Sequence, residues 1–209
     1  MAFDCSLAVL RDDPASLSSS NLLPVEFSDE ELMVRYQAGD TEAFQELYRR
    51  YAPRLTGLMR RSLFRKEEAA DLVQQTFLHL HRARNDFRTD SKLRPWLFTI
   101  ALNLKRKHFR TIARRPMSEL GEIDPVGSET APTTPLERLE DQAAVRAALA
   151  ELPAGTREVI ELHWFEGMPF AEVANTVGAS LSAVKVRAHR GYKRLRESLA
   201  ARNPGPGAE

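Results

Sequence analysis

Lys185, Arg187, His189, Arg190 and Lys193 crowd into one short stretch of this chain. Lys and Arg are pure donors that hold phosphates, and both can give hydrogen bonds to the acceptor edges of bases. The residues around them say what kind of element carries the charge. Phe170, Val173, Ala174 and Val177 fall at i, i+3, i+4 and i+7, one face of a short helix. Gly178 follows, where helices commonly close in the left-handed conformation. Ser180 is placed to cap a second helix. Leu181, Val184, Ala188 and Leu195 keep close to one face of it, with Lys185, His189, Arg190 and Lys193 on the others. Two helices, a glycine turn and a basic second helix form the helix-turn-helix pattern, whose second helix docks on DNA. An ordinary helical hairpin with a solvated charged face has the same pattern, so the stretch alone leaves both readings open.

Other chemistry is absent from the sequence. There is no nucleophile–base constellation, no phosphate-binding glycine loop and no metal-ligand cluster. His79 and His81 stand two apart on a helix and do not share a face. No catalytic residue, no metal, no cofactor and no small-molecule substrate is therefore expected. Cys5 is the single cysteine, which excludes an internal disulfide framework and a multi-cysteine zinc site. No apolar run reaches the ~18 residues of a membrane span, and no basic-then-apolar start marks a secretory signal. Direct membrane insertion is not expected.

The 209 residues, 43% of them hydrophobic, allow one or two packed domains. The net charge of +1 is uninformative, but its distribution is not. Residues 91–118 carry Lys92, Arg94, Lys105, Arg106, Lys107, Arg110, Arg114 and Arg115 with no acid. Residues 116–142 carry seven acids against Arg138 alone. Residues 180–199 return to six cations against Glu197. Two basic blocks around an acidic one suggest two surfaces that face a polyanion and a spacer that the polyanion repels.

The elements that must position these charges all have helical periodicity. Residues 1–27 read as a disordered, serine-rich extension. Ser28 and Glu31 form a capping box for a first helix, and Asp40 caps a longer second one with Pro53 inside it. Residues 66–84 form a third helix with Leu72, Val73, Thr76, Phe77 and Leu80 as its buried stripe. A polar loop over 85–91 leads into a helix from Leu93, with Trp96, Leu97, Ile100, Ala101 and Leu104 buried and a basic end. Residues 114–135 read as an acidic, Pro-rich linker. After it come a helix over 136–150, a break at Leu152-Pro153, and a helix holding Val159, Ile160, Leu162 and Trp164 that Gly167 ends. The helix-turn-helix follows. The expected fold is all-α: two small helical domains, 28–113 and 136–199, on a flexible linker, with a disordered tail over 200–209.

The order DTEAFQELYRRY, DLVQQTFLHLHR, LRPWLFTIALNLKRKH, a Pro-rich linker, and LPAGTREVIELHWFEGMPFAEVANTVGASLSAVKVRAHRGYKRL resembles a bacterial RNA polymerase sigma factor of the extracytoplasmic-function (ECF) group of the sigma-70 family. The likeness covers 29–113 and 136–197, which would be the sigma-2 and sigma-4 domains. It implies a bacterial, cytoplasmic subunit that binds core RNA polymerase and directs promoter-specific initiation for a stress or envelope response, with no catalysis of its own. The implied partners are core polymerase through its beta-prime clamp helices and beta flap, promoter DNA, and an anti-sigma factor.

The resemblance also assigns residues. Asp71, Leu72, Gln74 and Gln75 on the third helix would meet the clamp helices. Asn85, Phe87, Arg88, Asp90 and Ser91 would form the pocket for a base of the minus-ten element that leaves the stack. Unstacking costs a few kcal/mol, so such a pocket must supply donors, acceptors and a packing surface. Asn103, Arg106, Lys107 and Arg110 would line the backbone of the same strand, contacts that position without specifying. Trp96 could stack on a base, but its place in the apolar stripe favours a core role. Lys185, Val186, His189 and Arg190 would read the minus-thirty-five element, with Arg187 and Lys193 on phosphates. Val186 stands where the family usually has a small polar residue, and Ala188 where a larger apolar one is common. The alternatives are a helix-turn-helix regulator acting on duplex DNA without replacing sigma, and a helical protein-interaction adaptor.

Overall fold

The structure, a computed structural model, describes residues 27–63, 65–114 and 136–202, the side chains of 136–142 excepted. The N-terminal extension with Cys5, most of the linker and most of the tail lie outside the described residues. Within them every regular element is helical.

Helix α1, Asp29–Gln37, opens as the capping box requires: the Glu31 amide donates to Ser28 Oγ at 3.2 Å and the Ser28 amide donates to Glu31 Oε2 at 2.7 Å. Gly39, at φ 100°, turns the chain into α2, Thr41–Arg60, which Asp40 caps through the amides of Glu42 and Ala43. Pro53 lies inside α2 without ending it. Helix α3 runs Lys66–Arg82, two residues short of the expected end, because the chain tightens into a 3₁₀ turn over Arg84–Asp86. Helix α4 spans Leu93–Ala113. Its N-terminus has no capping side chain of its own, and the Leu93 amide instead donates to Glu30 Oε1 on α1 at 3.1 Å. Leu47, Leu55, Leu58, Leu80, Leu97 and Phe98 are fully buried among α2, α3 and α4. Each such side chain contributes roughly 1.5–3 kcal/mol.

The second module starts with α5, Leu136–Ala150. Helix α6, Ala154–Ile160, runs on into one π-helical turn, Glu161–Phe165, which Gly167 closes at φ 62°. The wider turn moves Trp164 off the face that buries Ile160: Ile160 is 1% exposed and Trp164 70%. Of the residues this helix is expected to hold, Val159, Ile160 and Leu162 are buried and Trp164 is exposed. Helix α7, Phe170–Val177, ends at the left-handed Gly178, and α8, Leu181–Arg202, is capped by Ser180 accepting from the Ala183 amide at 3.2 Å. Leu181 is also exposed rather than on the buried face, since that face begins at Val184. Helix α8 passes so close to α6 that Gly191 is required: a β-carbon there would stand 2.8 Å from Thr156 Cγ2.

The modules do not stand apart. Val159, Leu162, Met168, Val173 and Val184 share one continuous apolar core with residues of α1–α4, and α7 packs along α4. Thr99 on α4 adds a hydrogen bond to the Thr176 carbonyl on α7 at 3.3 Å.

Candidate nucleic-acid and polymerase interfaces

Three surfaces carry the residues singled out by sequence. The first is the outer face of α3. Asp71, Gln74 and Gln75 are exposed on one stripe, as their helical spacing requires. Leu72 is not on it: the side chain is 4% exposed, and its carbonyl accepts from the buried Thr76 hydroxyl at 2.7 Å. Leu78 takes its place. It follows Gln74 by four residues and is 45% exposed, an apolar centre in a polar stripe. The helical period of α3, with Phe77 on its buried stripe and Leu78 off it, already separates the two.

The second surface is the loop before α4. Asn85, Arg88 and Asp90 are exposed and Ser91 is half-buried. Arg88 and Asp90 form a two-pronged pair, Nη2 to Oδ2 at 2.9 Å and Nε to Oδ1 at 3.2 Å, and Ser91 Oγ donates to the same carboxylate at 3.4 Å. The Arg88 guanidinium holds the Asp90 carboxyl below its ordinary value. Phe87 lies beneath the loop, 4% exposed, with its ring 5.3 Å from Trp96, which is half-buried. In this arrangement the buried Phe87 offers no open face for a base, and Trp96 packs against it from the core. Gln37 on α1 fixes the turn by donating to the carbonyls of Arg84 at 2.7 Å and Phe87 at 3.0 Å. Sequence reasoning missed Gln37, because the contact joins elements far apart in the chain.

Along α4, Asn103, Lys107 and Arg110 are exposed, while Arg106 turns toward the second module. Its guanidinium meets both oxygens of Glu158, Nη2 to Oε2 at 2.6 Å and Nε to Oε1 at 2.9 Å. That bidentate pair raises the Arg106 pKa further. Arg106 Nη1 also donates to Asn103 Oδ1 at 3.4 Å. Beside it opens a cleft of ≈ 760 Å³ between the modules, with Arg110, Arg157 and Arg187 on its walls.

The third surface is α8. Lys185, Val186, His189, Arg190 and Lys193 are all exposed on a continuous stripe, and Val186 at 47% is its apolar member. Arg187 leaves this stripe: it is half-buried, lines the cleft and lies against Gly155. Helix α7 sits behind, held by its buried Val173 and Ala174 and by His163, whose ring stacks on Phe170 at 3.9 Å and whose Nδ1 donates to the Met168 carbonyl at 2.7 Å. The stripe is therefore a rigid face presented by a packed pair of helices.

Contacts across the modules are polarised. Arg54 and Arg61 hold Glu166 at 3.1 and 2.7 Å, Arg94 holds Glu172 at 2.6 Å, Lys105 holds Glu161 at 2.7 Å, and Arg106 holds Glu158. Among the described residues, every cation in these pairs comes from α2, its C-cap Arg61 or α4, and every acid from the second module.

Comparison with known proteins agrees with this layout. Residues 47–115 match the Sigma-70 region 2 family and residues 142–195 match Sigma-70 region 4. The chain is 34% identical over 173 residues to the RNA polymerase sigma factor CarQ of Myxococcus xanthus, covering 80% of this chain and 95% of that one. It is 32% identical over 180 residues to the ECF RNA polymerase sigma factor SigM of Mycobacterium tuberculosis, covering 86% and 89%. Among solved structures, CnrH in complex with the cytosolic domain of CnrY superimposes with a TM-score of 0.66 at 31% identity, over 83% of this chain and 97% of that one. RpoE of Bartonella quintana, bound to the anti-sigma factor NepR, gives 0.65 at 27%, over 75% and 96%. The chain belongs to the sigma-70 family, as an ECF RNA polymerase sigma factor.

Proposed function

We propose that this sigma factor binds core polymerase through the α3 stripe and reads its promoter at two places, one on each module. The supporting observation is the separation of exposed faces: Asp71, Gln74, Gln75 and Leu78 on α3, and Lys185, Val186, His189, Arg190 and Lys193 on α8. A polar stripe with one apolar centre suits a helical partner such as the clamp helices. A cationic stripe with one apolar member suits a major groove, where Lys donates to guanine acceptors and Val packs on a thymine methyl. The second module also meets the beta flap.

Asn85, Arg88, Asp90 and Ser91 receive a base of the minus-ten element, with Phe87 holding the loop from below. Asn103, Arg106, Lys107 and Arg110 follow the strand backbone. The bond-making chemistry belongs to the polymerase, and the factor works in the bacterial cytoplasm. No helix among the described residues is long and apolar enough to cross a membrane. The relatives CnrH and RpoE were solved with CnrY and NepR. An anti-sigma partner for this chain follows by likeness to them, and a stress or envelope regulon follows from the ECF resemblance of the sequence.

The test is co-purification with core polymerase followed by run-off transcription. The expected result is a stoichiometric complex that initiates at discrete promoters. A protein that binds duplex DNA tightly but never associates with core would instead be a helix-turn-helix regulator.

A further inference from the structure

Helix α1 holds both ends of the loop before α4. At one end Gln37 Nε2 donates to the carbonyls of Arg84 at 2.7 Å and Phe87 at 3.0 Å. At the other, Glu30 Oε1 accepts from the Leu93 amide, the first of α4, at 3.1 Å. Glu30 and Gln37 are seven residues apart, so they share a face of α1 and are separated by about 10 Å along its axis. Beside Gln37, Tyr36 Oη and His81 Nδ1 meet at 2.5 Å, which ties α1 to the end of α3 just before the loop. Helix α1 is itself fixed on α2, where Asp29 accepts from Arg50 Nη1 at 2.8 Å and from the Tyr51 hydroxyl at 2.5 Å. We propose that Gln37 and Glu30 are positioning residues for promoter opening: without touching the base, they set the shape of the minus-ten pocket and with it the choice of base.

The physical argument starts from how little else shapes the loop. Its own backbone bonds are short-range, the Asp86 amide to the Ala83 carbonyl at 2.9 Å and the Ser91 amide to the Arg88 carbonyl at 2.9 Å. Among the described residues, no other element gives the backbone of 84–93 a side-chain hydrogen bond. Without Gln37 the carbonyls of Arg84 and Phe87 lose their donor. Without Glu30 the first amide of α4 loses its acceptor, and the first turn frays. The exposed groups of Asn85, Arg88 and Asp90 then spread over several arrangements, and apparent affinity for a base falls by the fraction that still fits. The wrong arrangements also accept wrong bases, so discrimination falls with affinity. The two side chains have opposite requirements. Gln37 must donate twice, and a carboxylate in its place would face two carbonyl oxygens. Glu30 must accept once, which a side-chain amide does as well.

This inference rests on reading 85–91 as the minus-ten pocket, and the variants separate the failure of one from the failure of the other. Holoenzyme is reconstituted from core polymerase and the full chain. The probe is a single-stranded non-template oligonucleotide from a promoter that this holoenzyme uses, with 2-aminopurine placed at each minus-ten position in turn. Brightening marks the base that leaves the stack. Affinity is then compared among the four bases at that position. Core affinity and binding to a minus-thirty-five duplex are measured alongside, and thermal melting checks each variant.

Gln37→Glu and Glu30→Ala are expected to weaken the oligonucleotide about tenfold and to reduce the preference for the best base about fivefold. Glu30→Gln restores both to near the wild type. Core affinity and duplex binding stay within about twofold of the wild type throughout. Should Gln37→Glu melt early, Gln37→Ala, which adds no charge, repeats the test. Unchanged affinity and preference in the Gln37 variants overturn the proposal. So does a loss of affinity that leaves the preference intact or that runs in step with core affinity, since a merely structural role does that. A Glu30→Gln variant as weak as Glu30→Ala overturns the part assigned to Glu30. Asn85→Ala/Asp90→Ala with wild-type affinity and preference overturns the pocket itself, and the proposal with it, whatever Gln37 does.

Discussion

Lys105 Nζ and Glu161 Oε2 meet at 2.7 Å inside the interface between modules, with Ser62 Oγ accepting from the same ammonium at 3.2 Å and donating to Glu161 Oε1 at 3.1 Å. Neither charge has access to bulk water. Removing one member leaves the other charged and unpaired, which costs roughly 3–5 kcal/mol, whereas an apolar pair of similar volume can be neutral. Glu161→Leu should therefore lower the denaturant midpoint sharply, and Lys105→Met/Glu161→Leu should recover most of it. A neutral Glu161→Leu would mean that the two modules do not pack together in solution.

Gly191 sits in mid-helix, where alanine would ordinarily gain about 1 kcal/mol. The close approach to Thr156 and Ile160 reverses the sign, because the added β-carbon would stand 2.8 and 3.0 Å from their side chains. Overpacking of this kind costs about 1–3 kcal/mol. Gly191→Ala is expected to melt earlier than the wild type in calorimetry. A later melt would contradict the packing of α8 on α6.

Leu78 and Gln74 lie on the exposed stripe of α3. Gln74→Ala/Leu78→Ala should weaken core polymerase binding about tenfold or more and leave the melting temperature unchanged, as expected where an apolar anchor carries an interface. Surface plasmon resonance against immobilised core checks both the loss and its confinement to core. Unchanged affinity would move the docking face elsewhere.

On α8 the exposed residues divide by proposed role. Lys185→Ala should relax discrimination at one base pair of the minus-thirty-five element by about 1–3 kcal/mol. Lys193→Ala should weaken all sequences alike and reduce the salt slope by about 1. Val186→Thr replaces an exposed methyl by a hydroxyl and should change the preferred base without altering stability. A promoter library transcribed by the reconstituted holoenzyme separates the three outcomes.

Glu46 illustrates the pH dependence. Hydrogen bonds from Arg49 and then Arg50 hold its carboxyl at about 2 in the folded protein. Because the folded value is depressed, the contribution is fully present above the unfolded value of about 4.3 and is lost as pH falls toward 2. Glu46→Gln should lower stability slightly at neutral pH and converge on the wild type as pH falls toward 2, which flattens the acid limb of a stability–pH curve; the loss is small because the pairs are solvent-screened, with Arg49 exposed and Arg50 half-buried. An unaltered acid limb would show that these pairs do not persist in solution.

The sequence was informative where causes are local. Ser28 with Glu31, Asp40, Gly178 and Ser180 mark helix ends through bonds spanning a few residues, and the structure has each cap in place. The apolar period placed the buried faces of α2, α3 and α4 for the same reason. What escaped is long-range. Arg106 reads as a solvated cation until Glu158, 52 residues away, is folded against it. Phe87 has the polar neighbours of a surface aromatic, yet it packs under its own loop on Trp96. Trp164 follows the helical period of Ile160, and only the π turn takes it off that face. The period of α3 already puts Leu72 inside; its assignment as a partner contact conflicts with that period, and the structure keeps it buried.

The central claim is that the chain makes core polymerase start where its own two modules direct. The most direct measurement is sequencing of transcript 5′ ends made on genomic DNA by core polymerase alone and by core plus this protein. The account predicts a new set of discrete start sites that share two upstream elements and that shift when Val186 is replaced. An unchanged profile, from a protein that nonetheless binds duplex DNA tightly, would contradict it.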